Sequence, residues 1–309
     1  MNRREFLARS GRAAAAASFA MGASSAGLVA TPARADAESG EFRGRIYKSV
    51  KSGMFSEKIA VAEKYRILKD LGFDGVEINQ PNADTKAALA ASRKVGLPVH
   101  GVVDAIHWET RLSDPDETIR ARALAGLKAA IQDAHFVGGT AVLLVPGKVT
   151  DEKNENQQQV WDRSIAEIRK ALPLASRLGI HILIENVWNG FCYTHNGPDD
   201  QTADLLAKYI DTIGSPWVGV YFDIGNHQKY GKPAEWIRTL GRRIVKLDVK
   251  DWGKKNGFSK IGEGDVDWAA VRVALREIRF SGWATAEVRA GDRTRREEVA
   301  KNMNEALGL

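Results

Sequence analysis

The chain is poor in the residues that build several common kinds of site. Among 309 residues there is one cysteine, Cys192, so no internal disulfide and no cysteine metal cluster can form. Cys192 is read as a bystander near the entrance of a site. No G-x-G-x-x-G follows the first predicted strand, which leaves a dinucleotide site unsupported. There is no low-complexity linker and no sign of a second domain. The basic excess is also thin. Arg3, Arg4, Arg9, Arg12 and Arg34 against Glu5 supply +4 of the formal +6, and the remaining +2 gives no reason to expect nucleic acid. What is present, 44% apolar and 27% charged residues, is the composition of a soluble globular protein.

The first 37 residues read as a targeting segment. NRREFLA carries twin arginines and a Phe-Leu pair, followed by an Ala/Gly/Ser run over residues 13–30. Cleavage would suit Ala33-Arg34-Ala35 or Ala35-Asp36-Ala37. The run is Ala-rich rather than Leu-rich and a poor permanent membrane anchor. The expectation is a twin-arginine signal over 1–37 that engages the Tat translocase and delivers a folded protein to the periplasm. The fold would occupy 38–309.

From residue 42 onward the chain alternates strands and helices. FRGRIYKSV reads as a first strand, and Ser56 as the N-cap of a helix that stops at Gly72. The further strands are FDGVEIN, LPVHGVV, TAVLLVPG, HILIENV, VGVYFDIGN, IVKLDVKD and GWATAEV, each separated from the next by a helical pattern. These strands are continuous apolar runs, as a parallel sheet covered by helices requires. Eight such units in about 270 residues predict an α/β fold of the closed (β/α)8 TIM-barrel type, with an open doubly wound sheet as the alternative.

Four of these runs end in an acid. Glu185 closes HILIE, Asp223 closes VGVYFD, Asp248 lies in IVKLDV and Glu287 follows GWATA. In such barrels chemistry gathers at the C-terminal ends of the strands. Residues two apart share a face, so Leu183, Tyr221 and Thr285 would accompany the acids inward. Carboxylates at close range must share protons or a cation, and a bound divalent metal is the simplest solution. The competing reading makes each acid an ordinary cap or ion-pair partner past a strand.

The motifs LGFDGVEIN, HW after strand three, DAHFVGGTAVLLVPG, LIENVW, FDIGN, KLDVKDW, IGEGDVDW and GWATAEV stand in an order that resembles the xylose-isomerase-like TIM barrels. That family includes tagatose/psicose 3-epimerases, hydroxypyruvate isomerases and inosose dehydratases, and the likeness covers residues 42–307. It implies a divalent metal held by Glu185, Asp223, Asp248 and Glu287. Asp248 is a departure, because the family's H-x-K-D reads Asp-Val-Lys-Asp here; Asp251 is an alternative ligand. An all-oxygen shell favours Mn²⁺ or Mg²⁺. The resemblance further implies that Glu185 and Glu287 are the acid/base pair, one removing a proton beside a carbonyl and the other returning one. Substrate contacts are expected from Glu77, His107, Trp108, Trp188, His227, Lys250 and Arg289, with Trp252 also near the pocket. His135 and His181 read as structural, and GEGDVDW as a turn with an N-cap at Asp265 or Asp267, its glycines only a weak phosphate cradle.

The leading functional expectation is a metal-dependent isomerase or epimerase of a sugar or keto-sugar. A lyase or dehydratase acting on a 3-keto-glycoside or inosose would share the first step. A non-catalytic periplasmic carbohydrate-binding protein would be expected to have two lobes and no use for an acid cluster. The DNA-repair branch of the same barrels needs several metal-binding histidines and a basic face, which six scattered histidines do not supply. A homo-oligomer is compatible with the sequence, but no residue compels one.

Overall fold

The computed structural model describes residues 40–309, so the expected signal segment lies outside the described residues. Eight parallel strands close into a barrel: β1 (Ile46–Lys51), β2 (Gly75–Gln80), β3 (Val99–Asp104), β4 (Ala141–Leu144), β5 (His181–Glu185), β6 (Val218–Asp223), β7 (Ile244–Val249) and β10 (Gly282–Ala286). β1 pairs with both β2 and β10, which seals the sheet. Outside it pack α1 (Val61–Asp70), α2 (Thr85–Val95), α3 (Glu117–Val137), α4 (Gln157–Leu178), α5 (Asp204–Ile213), α6 (Pro233–Leu240), α7 (Trp268–Glu277) and α8 (Arg293–Leu307). Among the described residues no helix is long and apolar enough to cross a membrane.

Local sequence sets these limits. Asp84, Asp116, Asp267 and Asp292 each accept a backbone N–H at a helix start, and Asn156 forms a reciprocal capping box with Gln159. Gly179 ends α4 at φ 70°, a left-handed conformation that lets its N–H reach back to Ala175 and Ser176. The helices bury one stripe against the sheet; α5 does so with Leu206, Tyr209, Ile210 and Ile213.

The barrel interior is small and partly polar. Val103, Ala141, Leu143, Leu183 and Tyr221 form its apolar part. Beside them a hydrogen-bonded chain runs from Lys246 through His100 to Ser49 and Thr285, then through Tyr221 and Glu77 to Lys51. The β2–β3 register pairs Val76 with Val99 and Glu77 with Gly101, so His100 is the extra residue of a bulge, which re-aims its ring. Trp283 stacks on that ring at 4.4 Å. A Cβ on Gly75 would lie 2.6 Å from the Trp283 indole and 3.1 Å from the Pro98 carbonyl. Gly75→Ala is therefore expected to cost roughly 1–3 kcal/mol by overpacking, read as a lower urea midpoint at unchanged slope.

Two stretches differ from expectation. Ser56 does not cap the first helix, which starts at Val61 after Ala60. Phe55 bridges to Gly291 and Glu57 pairs with Arg296, and these ties hold the segment against the C-terminal end of the chain. The loop expected after β7 contains a hairpin, β8 (Asp251–Gly253) paired with β9 (Gly257–Ser259).

Candidate active site

The barrel brings the four acids together. Glu185, Asp223, Asp248 and Glu287 each offer a carboxylate oxygen, and these atoms all lie within 4.8 Å of one another. Register explains why. Asp223 stands opposite Asp248 on β6 and β7, Glu185 pairs with Tyr221 on the neighbouring strand, and Glu287 follows the β10 residues paired with β7. Asp223 and Asp248 are fully buried, Glu185 is nearly so, and Glu287 is half-buried.

Two lysines face the cluster. Lys51 Nζ lies 2.9 Å from both Asp248 Oδ2 and Glu77 Oε2, and Lys250 Nζ lies 3.0 Å from Asp223 Oδ2 and 2.6 Å from Glu287 Oε2. With Glu77 counted, two ammoniums face five carboxylates, an excess of negative charge that suits a bound cation. Asp248 Oδ1 is buried with no hydrogen-bond partner among the described residues, and Asp223 Oδ2 and Glu287 Oε2 have Lys250 as their donor. Buried carboxylate oxygens outnumbering their donors in one cluster suit an oxygen-ligated metal.

The electrostatics agree. Burial, then the Glu287 charge, raises the Glu185 carboxyl well above its ordinary range. Burial likewise raises Asp248, against the opposing pull of Lys51. Burial would raise Glu287 too, but Lys51 and Lys250 outweigh it and hold that carboxyl low. A divalent ion here would lower them all.

Asparagines position the acids. Asn186 donates to the Asp223 carbonyl and accepts the Asp223 N–H at 2.8 Å, tying the end of β5 to β6. Asn226 gives its N–H to Asp223 Oδ1 at 2.7 Å and its amide to the Asn186 carbonyl and Glu185 Oε1, while its Oδ1 accepts from Lys250.

Above the acids opens a cavity of about 330 Å³, within the range of small-molecule sites. His107, Trp108, Trp188 and Lys250, four of the expected substrate contacts, line it together with Lys51, Asn226 and Phe258, which sequence reading does not single out. Burial, and then the nearby Lys51, keeps His107 neutral with its pKa lowered to about 3. His107 Nδ1 accepts the Val145 N–H, so Nε2 carries the proton and is a donor.

Other expected contacts fall elsewhere. Glu77 does not line the cavity; it is buried in the barrel between Lys51 and the Tyr221 hydroxyl. His227 is turned by a 3-10 turn into a ring cluster with Tyr193 and Trp236, and its Nδ1 meets Asn186. Arg289 lies outside the cavity on an adjoining hollow. Asp251 is not among the clustered acids: it accepts the N–H groups of Trp252, Gly262 and Val266 and the Trp268 indole. Trp252 backs Trp188 at 6.5 Å, and Cys192 is buried beside Trp161 on a separate hollow rather than at the cavity entrance.

An eight-stranded parallel barrel with a carboxylate cluster at its C-terminal mouth is the class of protein that fold and site define. Residues 65–307 match the model of one family of that class, and the chain belongs to it: the xylose isomerase-like TIM barrel family. An uncharacterized protein of Methanocaldococcus jannaschii is 26% identical over 60% of this chain, a match that spans 63% of that protein's length. The L-ribulose-5-phosphate 3-epimerase UlaE of Salmonella typhimurium is 24% identical over 85% of this chain and 98% of its own. The apo crystal structure of the 3-keto-D-glucoside 4-epimerase YcjR from E. coli superposes with a TM-score of 0.69 at 17% identity, covering 84% of this chain and 99% of that one.

Proposed function

We propose that the chain is a divalent-metal-dependent sugar isomerase or epimerase that moves a proton on a carbon beside a carbonyl. The observation that carries this reading is the convergence of four acids within 4.8 Å, two of them, Glu185 and Glu287, lining a sugar-sized cavity. The names of two relatives, a 3-epimerase of a ketopentose phosphate and a 4-epimerase of a 3-keto-glucoside, support it.

Glu185, Asp223, Asp248 and Glu287 would hold the metal, and the all-carboxylate set favours Mn²⁺ or Mg²⁺. A metal so held supplies Lewis acidity toward a bound carbonyl. The chain's own residues do the rest. Glu185 and Glu287 carry the proton, one as base and the other as acid. The Lys250 ammonium, 2.6 Å from Glu287, and the Nε2–H of His107 face a developing oxyanion. Trp108 and Trp188 wall the reacting ring and exclude water. The twin-arginine N-terminus supports export to the periplasm through the Tat pathway, where free sugars and keto-glycosides are the better-supplied substrates.

The test is solvent exchange. Mature protein with Mn²⁺ in D₂O is expected to place deuterium beside the carbonyl of at least one member of a panel of ketoses and 3-keto-glycosides, observed by NMR. A chelator should stop it. Absence of exchange across the panel with either metal sinks the reading. Release of an aglycone in the same tube would mark elimination, the alternative outcome of the same proton abstraction.

A further inference from the structure

The cavity does not end at Glu287. Lys250, Phe258 and Glu287 wall it on one side and also wall an adjoining hollow of about 680 Å³, built from the β8–β9 hairpin, the segment after β10 and the start of α8. The first cavity, at about 330 Å³, is at the small end of ligand sites, which run to roughly 1,000 Å³.

The hollow has the parts of a carbohydrate site. Phe258 is 53% exposed, yet it is no isolated apolar residue. Its ring is 5.0 Å from that of Trp188, which in turn meets Trp252, so Phe258 is the outer end of an aromatic row that begins behind the cavity wall. Lys260 and Arg295 share Glu298 as a partner, whereas Arg289 has no ion-pair partner among the described residues. Asn256 and Ser259 add neutral donors and acceptors on the same hairpin. An exposed aromatic face beside an unpaired guanidinium and neutral polar side chains fits a hydroxyl-rich ring, with its C–H face on Phe258 and its hydroxyls toward Arg289 and Asn256.

We propose that this hollow is a second subsite that holds the non-reacting ring of a glycoside, so that the substrate is a two-ring keto-glycoside. The inference rests on the epimerase reading for which ring reacts, but binding in the hollow does not require turnover. Calorimetry with the Mn²⁺-loaded protein compares 3-ketotrehalose with methyl 3-keto-α-D-glucopyranoside. The two-ring probe is expected to bind at least about tenfold more tightly, the equivalent of ~1.4 kcal/mol. Arg289→Ala should reduce that advantage and Asn256→Trp, which fills the hollow, should remove it. Both should leave the methyl glycoside within about twofold, because neither residue lines the first cavity. Equal affinities, no binding of either probe, or an advantage that survives both variants overturns the subsite. Exchange in D₂O keeps the two ideas apart. If the two-ring probe binds in an Arg289-dependent way and nothing exchanges, the subsite stands and the epimerase reading falls. If both probes exchange with the same KM, the reading stands and the subsite falls.

Discussion

Lys51→Met is expected to destabilise the protein by about 3–5 kcal/mol, the usual cost of removing one partner from a buried ion pair. Lys51 Nζ is the only ammonium within 4 Å of Asp248 or Glu77 among the described residues, at 2.9 Å from each, and its side chain is 10% exposed. Methionine keeps the length and apolar stem but leaves two buried carboxylates facing each other without a cation. At Asp248 the pull of Lys51 against burial would be gone, so its carboxyl, already raised, would rise further above its unfolded value and the folded state would bind more protons there than the unfolded state. The variant's stability should therefore fall as pH rises, with its deficit largest near pH 8 and shrinking toward about pH 5. Thermal melts of both proteins across that range check the magnitude and the sign. Adding Glu77→Gln removes one of the stranded charges and should restore part of the loss. A Lys51→Met protein that melts within a degree or two of the parent at pH 8 would remove Lys51 from any compensating role.

Lys51 also marks the limit of what the chain discloses. The acids were legible because each interrupts or ends a run too apolar to want it. In IYKSVK the two lysines stand three apart, on opposite faces of the strand, and alternation alone does not say which face is inner. Lys48 goes outward to Asn304 and Lys51 goes in. The choice is made by partners on β2 and β7, far away in sequence. His227 misled in the opposite way. Four residues past Asp223 it read as a neighbour of the cluster, but the turn after β6 presents Asn226 instead and sends the imidazole into an aromatic cluster. Asp251 reads as a spare ligand from its place in Asp-Val-Lys-Asp, but the N–H groups of Gly262 and Val266 and the Trp268 indole, all beyond the hairpin, consume its oxygens. The barrel itself was legible because buried parallel strands and their capped helices write a local signal at every turn. Contacts made across the mouth between loops write none.

Glu185→Gln and Glu287→Gln should each lower inversion of the sugar carbon by about 10²–10⁴-fold, the range for loss of a positioned general acid or base. The amide preserves shape and leaves an oxygen that can still face a cation, so bound metal, measured by elemental analysis, separates lost chemistry from a lost site. Two bases acting on one carbon also predict an asymmetry that a single base does not. With one carboxyl gone, the other can still remove and return a proton on its own side. One variant should then wash deuterium into one epimer without forming the other, and its counterpart should do so only from the opposite epimer. Because both groups serve the same proton, the double variant should lose far less than the product of the single losses. Lys250 sharpens the expectation: it sits 2.6 Å from Glu287 but makes no such contact with Glu185, so Glu287 is the carboxyl held ionised by the chain's own charges. Washout surviving in the Glu185→Gln protein, with Glu287 as the remaining base, is the outcome this geometry favours. Unchanged inversion in both variants at full metal occupancy would take the pair out of the chemistry and leave it as a ligand set alone.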